Sequence, residues 1–330
     1  MRKKVLVAGA TGFIGKNIVE RLAGRPDYEL FGTYRNSASL ERAQTGVEWI
    51  KADLTNAADV DRAIKGMDVV VQTAATTSGA KDIVTRPYIH VTDNAVMNSL
   101  IFRACHEANV GRVVFFSCTV MYASGQEPVR EEGFDANAGM HKNYFGVGWT
   151  KVYIEKMCEF YSRLGRTKYT VIRHSNVYGP HDKFDLERSH VFGATMTKVM
   201  NAGKVGDLEV WGTGEEERDL LYVEDLADFV EIALDKQDAP FGLYNVGSGE
   251  AIAVNELVKR VIRHSGKDLT VRHDASLPTI KTRLCLDIQK AVAAFGWRPK
   301  TSLDDGIRKT MDWLTFLERP VTRRLAPKAR

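Results

Sequence analysis

Cysteine is scarce and scattered: Cys105, Cys118, Cys158 and Cys285 are four residues in 330, with no C-x-x-C pair. That spacing offers neither a disulfide framework nor a tetrahedral zinc site, so no metal is expected. Long apolar runs are missing too. No stretch approaches the ~20 residues that span a bilayer, and no secretory leader is visible. The expectation is a cytoplasmic protein without a membrane partner. Charge of one sign is also in short supply. The net charge of +4 is small for this length and implies no nucleic-acid surface. The basic end, residues 319–330, reads as a solvated tail. Repeats and low-complexity blocks are absent. What remains, 44% hydrophobic and 27% charged, has room for a full core in one large α/β unit or two domains.

The most informative segment present is at the start. An apolar run over residues 4–8 reads as a buried strand. Gly9, Gly12 and Gly15 follow at G-x-x-G-x-x-G spacing, and an amphipathic helix opens behind them. Glycines there allow a tight turn, close approach of a pyrophosphate to the backbone, and close contact between helix and strand. Amides at the helix start, around Thr11, Phe13 and Ile14, then face the phosphates. The segment is expected to hold a dinucleotide.

Strand-like and helix-like stretches alternate through the first half. Strands are expected at 4–8, 30–34, 47–51, 69–73, 113–117 and 169–173, with helices including 94–108 and 148–164. This alternation argues an α/β fold, a Rossmann-type doubly wound parallel sheet with helices on both faces. After Gly179-Pro180 the rhythm loosens, with further strands at 207–211 and 242–246. We expect a nucleotide-binding domain over 1–180 and a smaller C-terminal α/β substrate lobe over 181–330, with a segment near 242–247 returning to the main sheet.

The end of the second strand separates NAD from NADP, because a carboxylate there binds the ribose hydroxyls and an arginine accommodates the extra phosphate. Here it reads Thr33-Tyr34-Arg35-Asn36, with no acid. NADP is expected, with Arg35 on the phosphate and NAD as the alternative. Asp53-Leu54 closes the third strand. Its carboxylate either meets the adenine amino group or caps the helix starting near Ala57. Thr73, Ala74 and Ala75 close the fourth with small residues that let a cofactor lie close.

Together with Asn176-Val177-Tyr178-Gly179-Pro180, the run from Arg218 to Asp225 and Phe295-Gly296-Trp297-Arg298-Pro299, these motifs resemble the extended short-chain dehydrogenase/reductase family of nucleotide-sugar epimerases, dehydratases and reductases. The run from Tyr178 to Phe184 and Ser189-His190-Val191 look most like its branch that epimerises a GDP-linked 4-keto-6-deoxy sugar at C3 and C5, then reduces C4 with NADPH. By this resemblance His190 is an acid/base histidine, and Asn176 and Arg218 touch the nucleotide-sugar. The helices at 94–108 and 148–164 then pair across a two-fold axis in a homodimer.

The chain departs from the family pattern at its chemistry. The family uses a serine or threonine, a tyrosine, and a lysine four residues after the tyrosine. On a helix that spacing puts tyrosine and lysine on one face. Lys151 fits the lysine, but four residues earlier stands Val147, which cannot transfer a proton. Tyr144 is a candidate substitute, either two turns away on the same face if the helix extends that far or in a loop that curls into the site ahead of a helix start near Gly146 and Gly148, and Tyr122 is a further one. At the serine position stands Cys118, either a displaced acid/base thiol or a small buried residue at a strand end. Thr119 beside it offers a hydroxyl. The branch's own cysteine position holds Val120. The expectation is a nucleotide-sugar epimerase or 4-keto reductase using His190 and Cys118. The alternative is a degenerate dinucleotide-binding sensor or partner subunit. A 4,6-dehydratase is disfavoured, because Thr119-Val120 replaces that class's Asp-Glu pair.

Overall fold

The computed structural model describes residues 2–40, 44–77, 85–138, 140–186, 189–277, 279 and 282–318. The basic end at 319–330 lies outside them. Six apolar stretches form the expected strands: β1 (Lys3–Ala8), β2 (Tyr28–Tyr34), β3 (Val47–Lys51), β4 (Val69–Gln72), β5 (Arg112–Phe116) and β6 (Lys168–His174). With β10 (Phe241–Val246) they make a seven-stranded sheet in the order β10-β6-β5-β4-β1-β2-β3. Every pairing in it is parallel. The order reverses direction at β1, the switch point of a doubly wound sheet.

Successive strand residues point to opposite faces, and both faces are covered. Val5, Val7, Val114 and Phe116 pack with α1 (Phe13–Leu22), α6 (Val223–Lys236) and α8 (Gln289–Phe295). Leu6, Val113, Phe115 and Val171 face α2 (Ala57–Ile64), α3 (Thr92–Glu107) and α4 (Phe145–Ser162). This is a Rossmann-type α/β fold.

A third core builds the smaller lobe. Phe192, Met196 and Val199 of α5 (Val191–Asn201) meet Leu257, Val258 and Val261 of α7 (Val254–Ser265) and Ile307 of α9 (Leu303–Glu318). Its strands are β7 (Asn176–Tyr178), β9 (Glu217–Tyr222), β11 (Ala251–Ala253) and β13 (Arg283–Leu284) in one sheet, and β8 (Val205–Trp211) with β12 (Asp268–Asp274) in another.

Buried carboxylates stitch the pieces together. Asp219 accepts from the Ser248 amide at 2.7 Å, its hydroxyl at 2.8 Å and the Leu286 amide at 3.1 Å, joining β9 to the segments after β10 and β13. Asp225 accepts from the Lys300 and Thr301 amides, and its carbonyl takes the Trp297 indole N–H. Much of the Arg218-to-Asp225 and Phe295-to-Pro299 pattern is therefore architecture. Among the described residues, no helix is long and apolar enough to cross a membrane.

Candidate active site

The carboxyl ends of β1, β4, β5 and β6 and the start of α4 converge on one cleft. At its floor the glycine turn is locked from both sides. The Gly9 amide donates to the Thr33 hydroxyl at 2.8 Å, and the Thr73 hydroxyl donates to the Ala8 carbonyl at 2.7 Å. Gly9 has φ +79°, and a Cβ there would lie 2.6 Å from the Ala74 Cα. Gly12 caps α1 with no side-chain bond, and the first turn carries no acid. The amides and dipole at this helix start are thus open to an anion, and the residues fit a dinucleotide pyrophosphate. Phe13 and Ile14 pack on the core behind it. Such a cofactor supplies a hydride donor or acceptor.

Arg35 and Asp53 lie at the far end of this groove. Arg35 is exposed. Asp53 accepts from the Thr55 amide and hydroxyl at 3.0 and 2.7 Å, and this, with the Arg35 charge nearby, holds its carboxyl below the usual range. The cap of α2 is Asn56, which accepts from the Asp59 amide, so Asp53 does not cap that helix. Leu54 packs beneath.

The helix carrying Lys151 starts at Phe145, so Val147 lies in its first turn and Tyr144 at its cap. Gly146 and Gly148 serve packing: a Cβ on Gly148 would come 2.4 Å from the Met140 sulfur. Buried Lys151 donates from Nζ to the Phe116 carbonyl at 2.8 Å. Burial lowers its pKa, opposed by Cys118 and Glu155. Cys118 is half-buried, and burial raises its thiol, opposed by Lys151. Tyr144 is half-buried and its phenol is raised by burial, with Arg218 and Cys118 both within electrostatic reach. Arg218 is anchored through Nη1 to the Glu217 and Thr282 carbonyls at 2.8 Å each. Burial lowers its pKa, opposed by Tyr144.

Thus Cys118, Tyr144, Lys151 and Arg218 share one wall. His190 is the N-cap of α5, without a side-chain capping bond, and lies within electrostatic reach of His174 at the end of β6. His190 is exposed, and partial desolvation of its ring, with the charges of Lys183 and His90, lowers its pKa. Asn176 is tied to the Asp219 carbonyl at 3.3 Å. Thr119 is buried.

Tyr122 is not a substitute for the absent tyrosine. Its hydroxyl donates to Asn245 Oδ1 and accepts from Arg173 Nη1, both at 2.8 Å, and burial pushes it up to about 12. Sequence reasoning also passed over two features. One is the buried network of Ser117, Glu155, Arg173 and Tyr122. The other is His174, whose only sequence signal is a titratable residue closing a buried strand just before Asn176.

The model of the NAD dependent epimerase/dehydratase family matches residues 5–247. The chain belongs to this family. It is 29% identical over 314 residues to GDP-L-fucose synthase of Sinorhizobium fredii, covering 94% of this chain and 95% of that protein. It is 26% identical over 313 residues to GDP-L-colitose synthase of Yersinia pseudotuberculosis, covering 94% and 97%. Among solved structures, the UDP-glucose 4-epimerase of Thermotoga maritima with UDP-glucose superposes with TM-score 0.84 at 24% identity, over 96% of this chain and all of that one. Within the family, this chain is an enzyme of the extended short-chain dehydrogenase/reductase type.

Proposed function

We propose that the chain is an NADP-dependent epimerase acting on a 4-keto-6-deoxyhexose carried by a nucleoside diphosphate such as GDP, with 4-keto reduction as its weaker activity. The observation that carries this reading is the wall of Cys118, Tyr144, Lys151 and Arg218, with His190 at the cap of α5 and Val147 at the family's tyrosine position. A 4-keto group acidifies the neighbouring C–H bonds. A neutral imidazole at His190 removes such a proton, and the protonated Cys118 thiol returns one. Arg218 and Asn176 hold the nucleotide-sugar. Tyr144, within reach of Cys118 and Arg218, offers a hydroxyl to the sugar oxygen. Hydride delivery at C4 needs an acid where Val147 stands, so reduction suffers more than inversion.

Incubation with a GDP-4-keto-6-deoxyhexose in deuterated water tests this. The native chain should incorporate deuterium beside the carbonyl, and His190→Asn should slow it by ~10²-fold. A second reading, a degenerate binding protein, is motivated by Val147. Tight nucleotide-sugar binding with neither exchange nor cofactor oxidation would establish it instead.

Arg35, without an acid beside it on β2, supports NADP over NAD. Arg35→Ser is expected to weaken NADPH binding by ~10-fold or more and leave NADH nearly unchanged, since one phosphate–arginine contact is lost. Equal effects on both cofactors in a fluorescence titration would refute that role. A homodimer is inferred from the outer face of α4, where Phe145, Tyr153 and Phe160 are 61%, 53% and 55% exposed, an apolar stripe of the kind that marks interfaces. Sedimentation at the monomer mass would count against it.

A further inference from the structure

His174 ends β6, beside the end of β5, where doubly wound sheets bind their ligands. Its neighbours Arg173 and Ser175 are buried, while His174 itself is partly open. Its Nδ1 lies 2.7 Å from the Ser175 carbonyl. A carbonyl only accepts, so Nδ1 carries the hydrogen and the lone pair sits on Nε2. The ring leans on Phe116 at 6.3 Å between centroids, and Lys151 holds the carbonyl of that same Phe116. Lys151 from α4 and His190 from the cap of α5 are the charged or titratable groups that reach it, and burial with these two pushes its pKa down to about 4.

We propose that His174 is a second proton acceptor of this cleft, its Nε2 taking the proton from a sugar carbon next to the keto group, at a different carbon from the one His190 serves. This rests on the epimerase reading above. The C–H bond breaks and its proton passes to Nε2. The C–H electron pair becomes the C=C of an enolate as the carbonyl pair moves onto oxygen. Delivery of a proton to the opposite face, from the Cys118 thiol recharged by solvent, completes the inversion. A neutral imidazole is a base rather than an acid at pH 7, so His174 does not restore the acid missing at Val147. Two imidazoles in one cleft provide one base for each of the two carbons that flank a 4-keto group.

Position-resolved deuterium incorporation into GDP-4-keto-6-deoxymannose tests the assignment. His174→Asn and His174→Gln should each slow exchange at one flanking carbon by ~10²-fold and leave the other within about threefold, with His190→Asn giving the converse. No loss, or equal loss at both carbons, overturns it. A readout independent of turnover is the histidine C2–H titration of the cofactor-free protein, the His174 signal being identified by its loss in His174→Gln. Its midpoint should lie at about 4 and rise in Lys151→Met. A midpoint at the ordinary histidine value of about 6.5, unmoved by Lys151→Met, overturns the proposal. If the native chain exchanges nothing, the epimerase reading fails, while this titration still decides whether His174 stands as a neutral base beside Lys151.

Discussion

Gly15→Ala is expected to lower affinity for NADPH by ~10²-fold or more and to cost roughly 1–3 kcal/mol of stability. The added Cβ would lie 2.2 Å from the Gly9 carbonyl oxygen and 2.9 Å from the Ala10 Cα. Both are backbone atoms of the turn itself, so no side chain can swing away to relieve the contact. The start of α1 must retreat from β1, and the amides aimed at the pyrophosphate turn off target with it. Gly12 provides the contrast. It is exposed, and a Cβ there meets only the Gly9 oxygen at 3.3 Å. Gly12→Ala should therefore keep nearly the full stability and still lose affinity, because its methyl group occupies the space where a phosphate approaches. Urea unfolding together with fluorescence titration separates the two. Equal stability and undiminished affinity in Gly15→Ala would mean that the turn does not hold the cofactor.

The sheet was legible because buried parallel strands read as short apolar runs between glycines and polar turns. The six expected strands of the main sheet's first half match β1 to β6 within two residues at either end. The start of α4 was harder. Gly146 and Gly148 are poor helix formers, and local propensity placed the start after Val147. Packing against Val91 and Met140 decided otherwise, since side chains at those glycines would collide. That shift of about one turn turned Tyr144 from a loop residue into the helix cap facing Arg218. The anchoring of Tyr122 was illegible for another reason. Tyr122 meets Asn245 across 123 positions of sequence, and no spacing rule reaches that far. His174 carried no motif at all, and only its place at a strand end beside Lys151 gives it chemistry.

Arg173→Met should destabilise the fold by about 3–5 kcal/mol, the cost of breaking a buried ion pair from one side. Arg173 and Glu155 are 4% and 5% exposed, and their closest atoms are 2.6 Å apart. The guanidinium also donates through Nε to Glu155 at 3.0 Å, and through Nη1 to the Tyr122 hydroxyl at 2.8 Å and the Glu131 carbonyl at 3.0 Å. The Tyr122 ring covers one part of it at 5.0 Å. With Arg173 gone, the Glu155 carboxylate keeps the Ser117 hydroxyl at 2.5 Å and no cation within the pair, and its desolvation is no longer offset. Glu155→Leu with Arg173→Met should cost clearly less than the two single changes added, because neither member of the pair is then left buried without the other. A single-variant loss under ~1 kcal/mol in urea unfolding would show that water enters and screens the pair. The network also reaches the chemistry. Glu155 lies one turn beyond Lys151 on α4, and Arg173 directly precedes His174 on β6. The pair therefore fixes the helix bearing the lysine against the strand bearing the imidazole, and the double variant, though folded, should exchange substrate protons more slowly than its stability alone accounts for.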